Sequence, residues 1–471
     1  MSFYDSHLRI CALALLPALL GLVLLGCSKT EDSVVMVREP RPEMEVEAIP
    51  ETDEPPQPDH LVNPPADPRA ALAQALDNGL LAGNQSKNDK LRAMLEVAGV
   101  PEASQVLVFS KTSLQHRLIG PSNPRAIYFS DNCYLGYVPG GLVEYGDADP
   151  DPSIGSGMLA VDLRDAEKAE LVQDGSCLAC HDGARTNGGP GFFIRSVFPD
   201  AKGHVITSAG STTVGQHTPL AKRWGGWYVT GNSGGSHHRG NQVTVEQANG
   251  DAYIDNALGS NIEDLSSRFN IGRYLQPTSD IVALMVLEHQ VQMHNRLTQG
   301  STVVHEQYER SKSLAKYLEE PFEPSKNETL QRVIASNAGR IVRQILFCNE
   351  IELTDPISGT DAFIHQFRAN RKEDTLGRSL KDFDLLTRMF KYRCSYMVYS
   401  QAFKQLHPML KDAVLEKLQT ALDGKGDASV YGHLEEEERK AILHILQHTG
   451  VLAISDEEPA TADSSARITR D

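Results

Sequence analysis

The sequence runs to 471 residues with a formal net charge of −17 and 40% hydrophobic residues. So acidic a balance argues against a nucleic-acid binder, whose footprint is basic, and would suit a basic protein partner. The length leaves room for one large or two modest domains, and no internal repeat is visible.

A short polar segment carrying Arg9 is followed by an apolar run over residues 10–25 that ends at Leu24-Leu25-Gly26-Cys27. A small residue and a cysteine closing an apolar core resemble the lipobox of bacterial lipoprotein signal peptides. The resemblance implies removal of residues 1–26, acylation of Cys27, and a chain held to the lipid bilayer and facing the periplasm or cell exterior. An uncleaved signal anchor is the alternative, and either leaves the rest outside the cytoplasm. Residues 27–68 are rich in Pro, Glu and Asp, lack an apolar period, and read as a disordered tether.

Helical periods are predicted over 69–81 and 89–98, the second stopped by Gly99 and Pro101. The period then shortens, and 105–109, 126–129, 135–138 and 158–161 read as strands between Gly-, Pro- and Asp-rich turns.

Within this region stands Cys177-Leu178-Ala179-Cys180-His181. C-x-x-C-H places two thiols three positions apart on one helical turn, where each can form a thioether to a haem vinyl group, and sets an imidazole beside them as an iron ligand. Cys177 and Cys180 are therefore the expected attachment points of one covalent haem c, with His181 as proximal ligand. A redox dithiol would be expected beside a βαβ pattern, and a zinc site beside a second cysteine pair. Neither accompanies this motif, because Cys133, Cys348 and Cys394 stand far apart. Export agrees with haem, since bacteria attach c-type haem outside the cytoplasm.

Gly189-Pro190-Gly191-Phe192-Phe193 follows the motif. It is similar to the Gly-Pro segment of cytochrome c-like proteins, where a backbone carbonyl accepts the proton on the proximal histidine's other nitrogen; a plain turn is the alternative. Farther on, Arg223-Trp224-Gly225-Gly226-Trp227 gathers both tryptophans beside a cation. These residues could wall a haem, with Arg223 near a propionate, or could fill a core. Candidates for the sixth iron ligand are His217, His237, His238, His289, Met293 and Met158, with His238 and then His217 favoured because they lie in Gly-rich, loop-like sequence. Met285, His289 and Met293 share one face of a helix, a pattern more often core than ligand.

Asn132-Cys133-Tyr134, the C-x-x-C-H turn, Ser208-Ala209-Gly210, the Trp224 to Gly231 segment and the Ser279 to Gln290 segment together resemble a group of large exported bacterial proteins described only as cytochrome c domain-containing. The resemblance, over residues 125–449, implies one covalent haem on Cys177 and Cys180 and names no reaction. Members often carry Met after the histidine that matches His238; this chain has Arg239 there.

From residue 278 helical periods dominate: 280–297, 304–318, 329–347, 380–389, 408–422 and 435–448. No nucleotide loop, catalytic triad or zinc-protease helix is present in the sequence. Cys348 and Cys394 could pair in an oxidising compartment or pack as thiols. The expected fold is α+β: an irregular, β-containing haem-bearing region over 69–277, a mainly α-helical region over 278–452, and a disordered tail over 453–471. The expected function is a tethered extracytoplasmic c-type cytochrome with a redox partner protein. The alternatives are a peroxidase-like oxidoreductase whose substrate pocket involves the helical half, and a haem-based sensor.

Overall fold

The computed structural model describes residues 56–454, apart from 84, 150, 164–168, 174, 184–185, 187 and 247–251. The signal segment, Cys27 and the tail beyond 454 lie outside the described residues. Inside the stretch expected to be tether, α1 (Asp59–Val62) leaves Leu61 only 4% exposed, so the folded part starts before residue 69. Next come α2 (Pro68–Asp77) and α3 (Lys87–Val97), capped by the side chains of Asp67 and Ser86.

Strands β1 (Val106–Val108), β2 (Arg125–Phe129), β3 (Cys133–Tyr137), β4 (Val143–Ala148), β5 (Ser156–Val161) and β6 (Val172–Gln173) precede a single helical turn, α4 (Leu178–His181). Two short hairpins follow, β7 (Asp182–Gly183) with β8 (Gly189–Pro190), and β9 (Arg195–Val197) with β10 (Ser211–Thr213). Strand β11 (Trp227–Tyr228) completes a seven-stranded antiparallel sheet in the order β11-β1-β2-β3-β4-β5-β6.

The two-residue period of the strands sorts their side chains between two cores. Ala126, Tyr128, Cys133, Leu135, Val143 and Tyr145 face α2 and α3, joining Leu72, Leu91 and Met94 in the smaller core. Residues of the opposite face, among them Val108, Phe129 and Tyr134, belong to the larger core.

That larger core is built around α5 (Ile281–Tyr317). Asp280 caps it, accepting from the backbone N–H groups of Val282 and Ala283 at 2.8 and 2.9 Å. Against it pack α6 (Glu328–Ile345), α7 (Asp361–Arg368), α8 (Gln401–Lys404), α9 (Pro408–Leu422), α10 (Ala428–Tyr431) and α11 (Glu436–His448). On α6 the buried residues Leu330, Ile334, Ala338, Ile341 and Ile345 recur every three or four positions, forming one stripe. The fold is thus α+β, with the sheet in the first half and helices in the second. One core of side chains from both halves runs across residue 278. Among the described residues no helix is long and apolar enough to cross a membrane.

Two expectations need correction. The periods at 280–297 and 304–318 are one continuous helix, because Gly300 fits where Ile341 and Leu410 approach α5. Residues 380–389 are not helical: Asp384 accepts the N–H groups of Leu386 and Thr387 at 2.9 and 2.7 Å, and Leu385 has φ 55°. Cys348 and Cys394 are buried thiols that do not pair; Cys348 Sγ lies 3.4 Å from the Val430 carbonyl.

Candidate functional site

The C-x-x-C-H residues sit on a 3-10 turn, Gly175–Cys177, that runs directly into α4. The β7–β8 hairpin then folds the chain back, which brings Gly191 beside His181. His181 Nδ1 donates to the Gly191 carbonyl at 2.8 Å, and Gly191 N–H donates to the His181 carbonyl at 2.9 Å. A carbonyl only accepts, so Nδ1 holds the ring proton and Nε2 keeps its lone pair. Burial lowers the pKa of His181 further than the Gly191 carbonyl raises it, which favours the neutral, metal-binding form.

The next residue ties this loop to the helical half. Phe192 N–H donates to Asn295 Oδ1 at 2.9 Å, and Asn295 Nδ2 donates to the Phe192 carbonyl at 2.6 Å. The rings of Phe192 and Phe193 lie 6.0 and 5.2 Å from that of His181.

Cys177, Cys180 and His181 all line one open cavity. The floor is the sheet face turned toward α5: Arg125, Ile127, Gly136, Glu144, Gly146 and Met158. Phe192, Phe193, Ile194, Trp227, Leu287 and Val291 supply apolar walls. Two of the floor residues are glycines because larger groups lie over them. A Cβ on Gly146 would come within 2.7 Å of the Phe192 ring, and one on Gly136 within 2.5 Å of the Arg125 guanidinium.

Arg125 forms an ion pair with Glu144. Glu144 also accepts from Ser113 Oγ at 3.1 Å and Gln115 Nε2 at 2.9 Å. Burial pushes the Glu144 carboxyl up, but Arg125 and these two donors outweigh it and hold the group below its ordinary pKa. Arg125 Nε is buried without a hydrogen-bond partner among the described residues. Arg195 also lines the cavity.

The other sequence candidates are placed elsewhere. His217 and His237 are exposed. His238 is 1% exposed and stands edge-on to Trp224 with ring centroids 5.1 Å apart. Its Nδ1 accepts from Gly240 N–H at 3.1 Å, and burial pushes its pKa down to about 4. Neither favoured distal histidine lines the cavity: the Gly-rich loops that suggested them turn toward solvent and toward the Trp224 core. His289 stacks on Phe347 at 4.2 Å and shares a 2.7 Å hydrogen bond with Ser395 Oγ, while Met285 and Met293 are core residues. Of the six distal candidates, Met158 is in the cavity lining.

The tryptophan window divides. Arg223 pairs with Glu288 at 2.7 Å and Trp224 Nε1 donates to Glu288 Oε1 at 2.6 Å, so this half is a buried core network and Arg223 is not a cavity residue. Trp227 is a cavity wall, with Nε1 donating to the Arg195 carbonyl at 2.7 Å. Sequence reasoning missed Arg125, Glu144 and Asn295. The signal available for the floor was Gly136, a glycine inside an apolar, aromatic run.

Comparison with protein-family models, with curated proteins and with solved structures finds no match. Among the described residues no group of three or more His, Cys, Asp or Glu side chains is arranged to hold a metal ion.

Proposed function

We propose that the protein is a c-type cytochrome outside the cytoplasm, tethered to a membrane through acylated Cys27, which carries one haem and exchanges electrons with a protein partner. The supporting observation is that both thiols and the imidazole of C-x-x-C-H line one largely apolar cavity, with His181 Nδ1 already engaged by the Gly191 carbonyl. When bound, the haem would supply one-electron iron chemistry. Cys177 and Cys180 would hold it covalently and His181 would ligate through Nε2. The Gly191 carbonyl fixes the imidazole ring and makes it a stronger donor. Phe192, Phe193, Trp227, Leu287 and Val291 exclude water, which lowers the reorganisation around a change of charge. Arg125 and Arg195 offer cationic donors to carboxylates. The net charge of −17 favours a basic redox partner, whose association rate would fall as salt rises.

One experiment tests the reading directly. Material produced in a host competent for haem attachment should be coloured, and its peptide containing Cys177 and Cys180 should carry the mass of one haem. Colourless protein with two unmodified thiols, or zinc in place of iron, would sink the proposal.

A catalytic haem is the second reading, favoured by one feature: Leu287 and Val291 of α5 wall the same cavity as the haem motif. Rapid binding of carbon monoxide by the reduced protein would move the function from carrier toward catalyst or sensor.

A further inference from the structure

We propose that Met158 provides the sixth ligand of the haem iron through its thioether sulfur, an inference that rests on the haem reading above. Of the six candidates the sequence offers, five are placed elsewhere: two exposed, one behind Trp224, and two buried in the helical half. Met158 lines the cavity together with Cys177, Cys180 and His181.

Strand geometry explains its position. On β5, Met158 is in register with Gly146 of β4, and both lie on the face of the sheet turned toward the cavity. The partner has no side chain, and the Phe192 ring fills the space over it, so Met158 stands next to a wall residue of the cavity and is 8% exposed. Glu144, a carboxylate on the same floor, is shared among Arg125, Ser113 and Gln115. A thioether has no proton to lose and no charge to bury, and its unbranched chain can adjust to the metal. Such a ligand comes from upstream of the haem motif and from a sheet, and it would raise the reduction potential relative to a second imidazole.

The test uses the full chain, matured in the same host, with three measurements on wild type, Met158→Leu and Met158→His. Haem on the Cys177–Cys180 peptide is established first by mass. The ferric wild type should be low-spin, with the weak far-red charge-transfer band of iron–thioether ligation. Met158→Leu, which keeps the volume, should lose that band, turn high-spin and bind carbon monoxide rapidly. Met158→His should stay low-spin with a lowered potential. A band that survives Met158→Leu, a wild type that is low-spin without it, or a high-spin wild type would each overturn the assignment while leaving the haem reading intact. A haem-free peptide would overturn that reading, and this inference with it.

Discussion

Single residues set the shape of the cavity in two places. Gly146 is one, because the Phe192 ring rests where its Cβ would be. Gly146→Ala should cost about 1–3 kcal/mol of stability through overpacking and push Phe192 away from His181; urea unfolding checks the first effect. A variant as stable as wild type would mean the ring is not held there. His294 is the other. It is buried between Phe192 and Tyr134, with Nε2 3.1 Å from Ser156 Oγ, and burial pushes its pKa from 6.5 down to about 3. A depressed histidine stabilises the fold fully above its unfolded pKa and loses that contribution as pH falls toward its folded value. His294→Gln lacks this titration. The stability gap between wild type and variant should therefore shift against wild type by about 1.4 kcal/mol per pH unit below pH 6.5. Denaturation midpoints at pH 7, 6 and 5 measure it, and a constant gap would contradict the assignment.

At the scale of elements, α5 depends on its first residue. Asp280 is fully buried; besides capping the helix it accepts the Thr360 N–H at 2.5 Å, which joins the start of α5 to that of α7. Asp280→Ala should cost at least about 2 kcal/mol, the upper end for a lost N-cap, whereas Asp280→Asn should keep most of it. Equal losses in guanidinium titrations would show that charge matters more than the acceptor oxygen. This helix start was legible from sequence, since an acidic cap stands directly before an apolar run. So were β1, β2, β3 and β5, short apolar runs set between Gly-, Pro- and Asp-rich turns, and α9, whose observed bounds coincide with the expected ones. Strand β4 was not, because Glu144, Gly146 and Asp147 break up its apolar run; the glycine that makes room for Phe192 also hid the strand. For the same reason only part of the site could be read. Cys177, Cys180, His181 and Gly191 lie within a few residues of one another, and their meeting follows from a single turn and hairpin. Arg125, Glu144 and Met158 come from three strands, and only register brings them together. The distal histidines were chosen from loop composition, which carries no information on which way a loop turns.

For the whole molecule, the sheet and the helices are not separable parts. Val108, Phe129, Ile194 and Trp227 share a core with Leu284, Leu287 and Val291. Residues 56–277 produced alone should therefore fail to fold cooperatively, even though they hold the entire haem motif. Near-ultraviolet circular dichroism would report this as loss of the fixed tryptophan and tyrosine signal. A sharp thermal transition in that fragment would show that α5 is dispensable.

The tie between Phe192 and Asn295 joins residues 103 apart in the chain. In a polypeptide delivered N-terminus first, the attachment turn emerges while its inner wall has yet to be delivered. Were a haem attached as proposed above, it would have unobstructed entry beside His181 until Asn295 docks. On that proposal, loading and closure would be ordered by the direction of delivery, with no need of a moving lid.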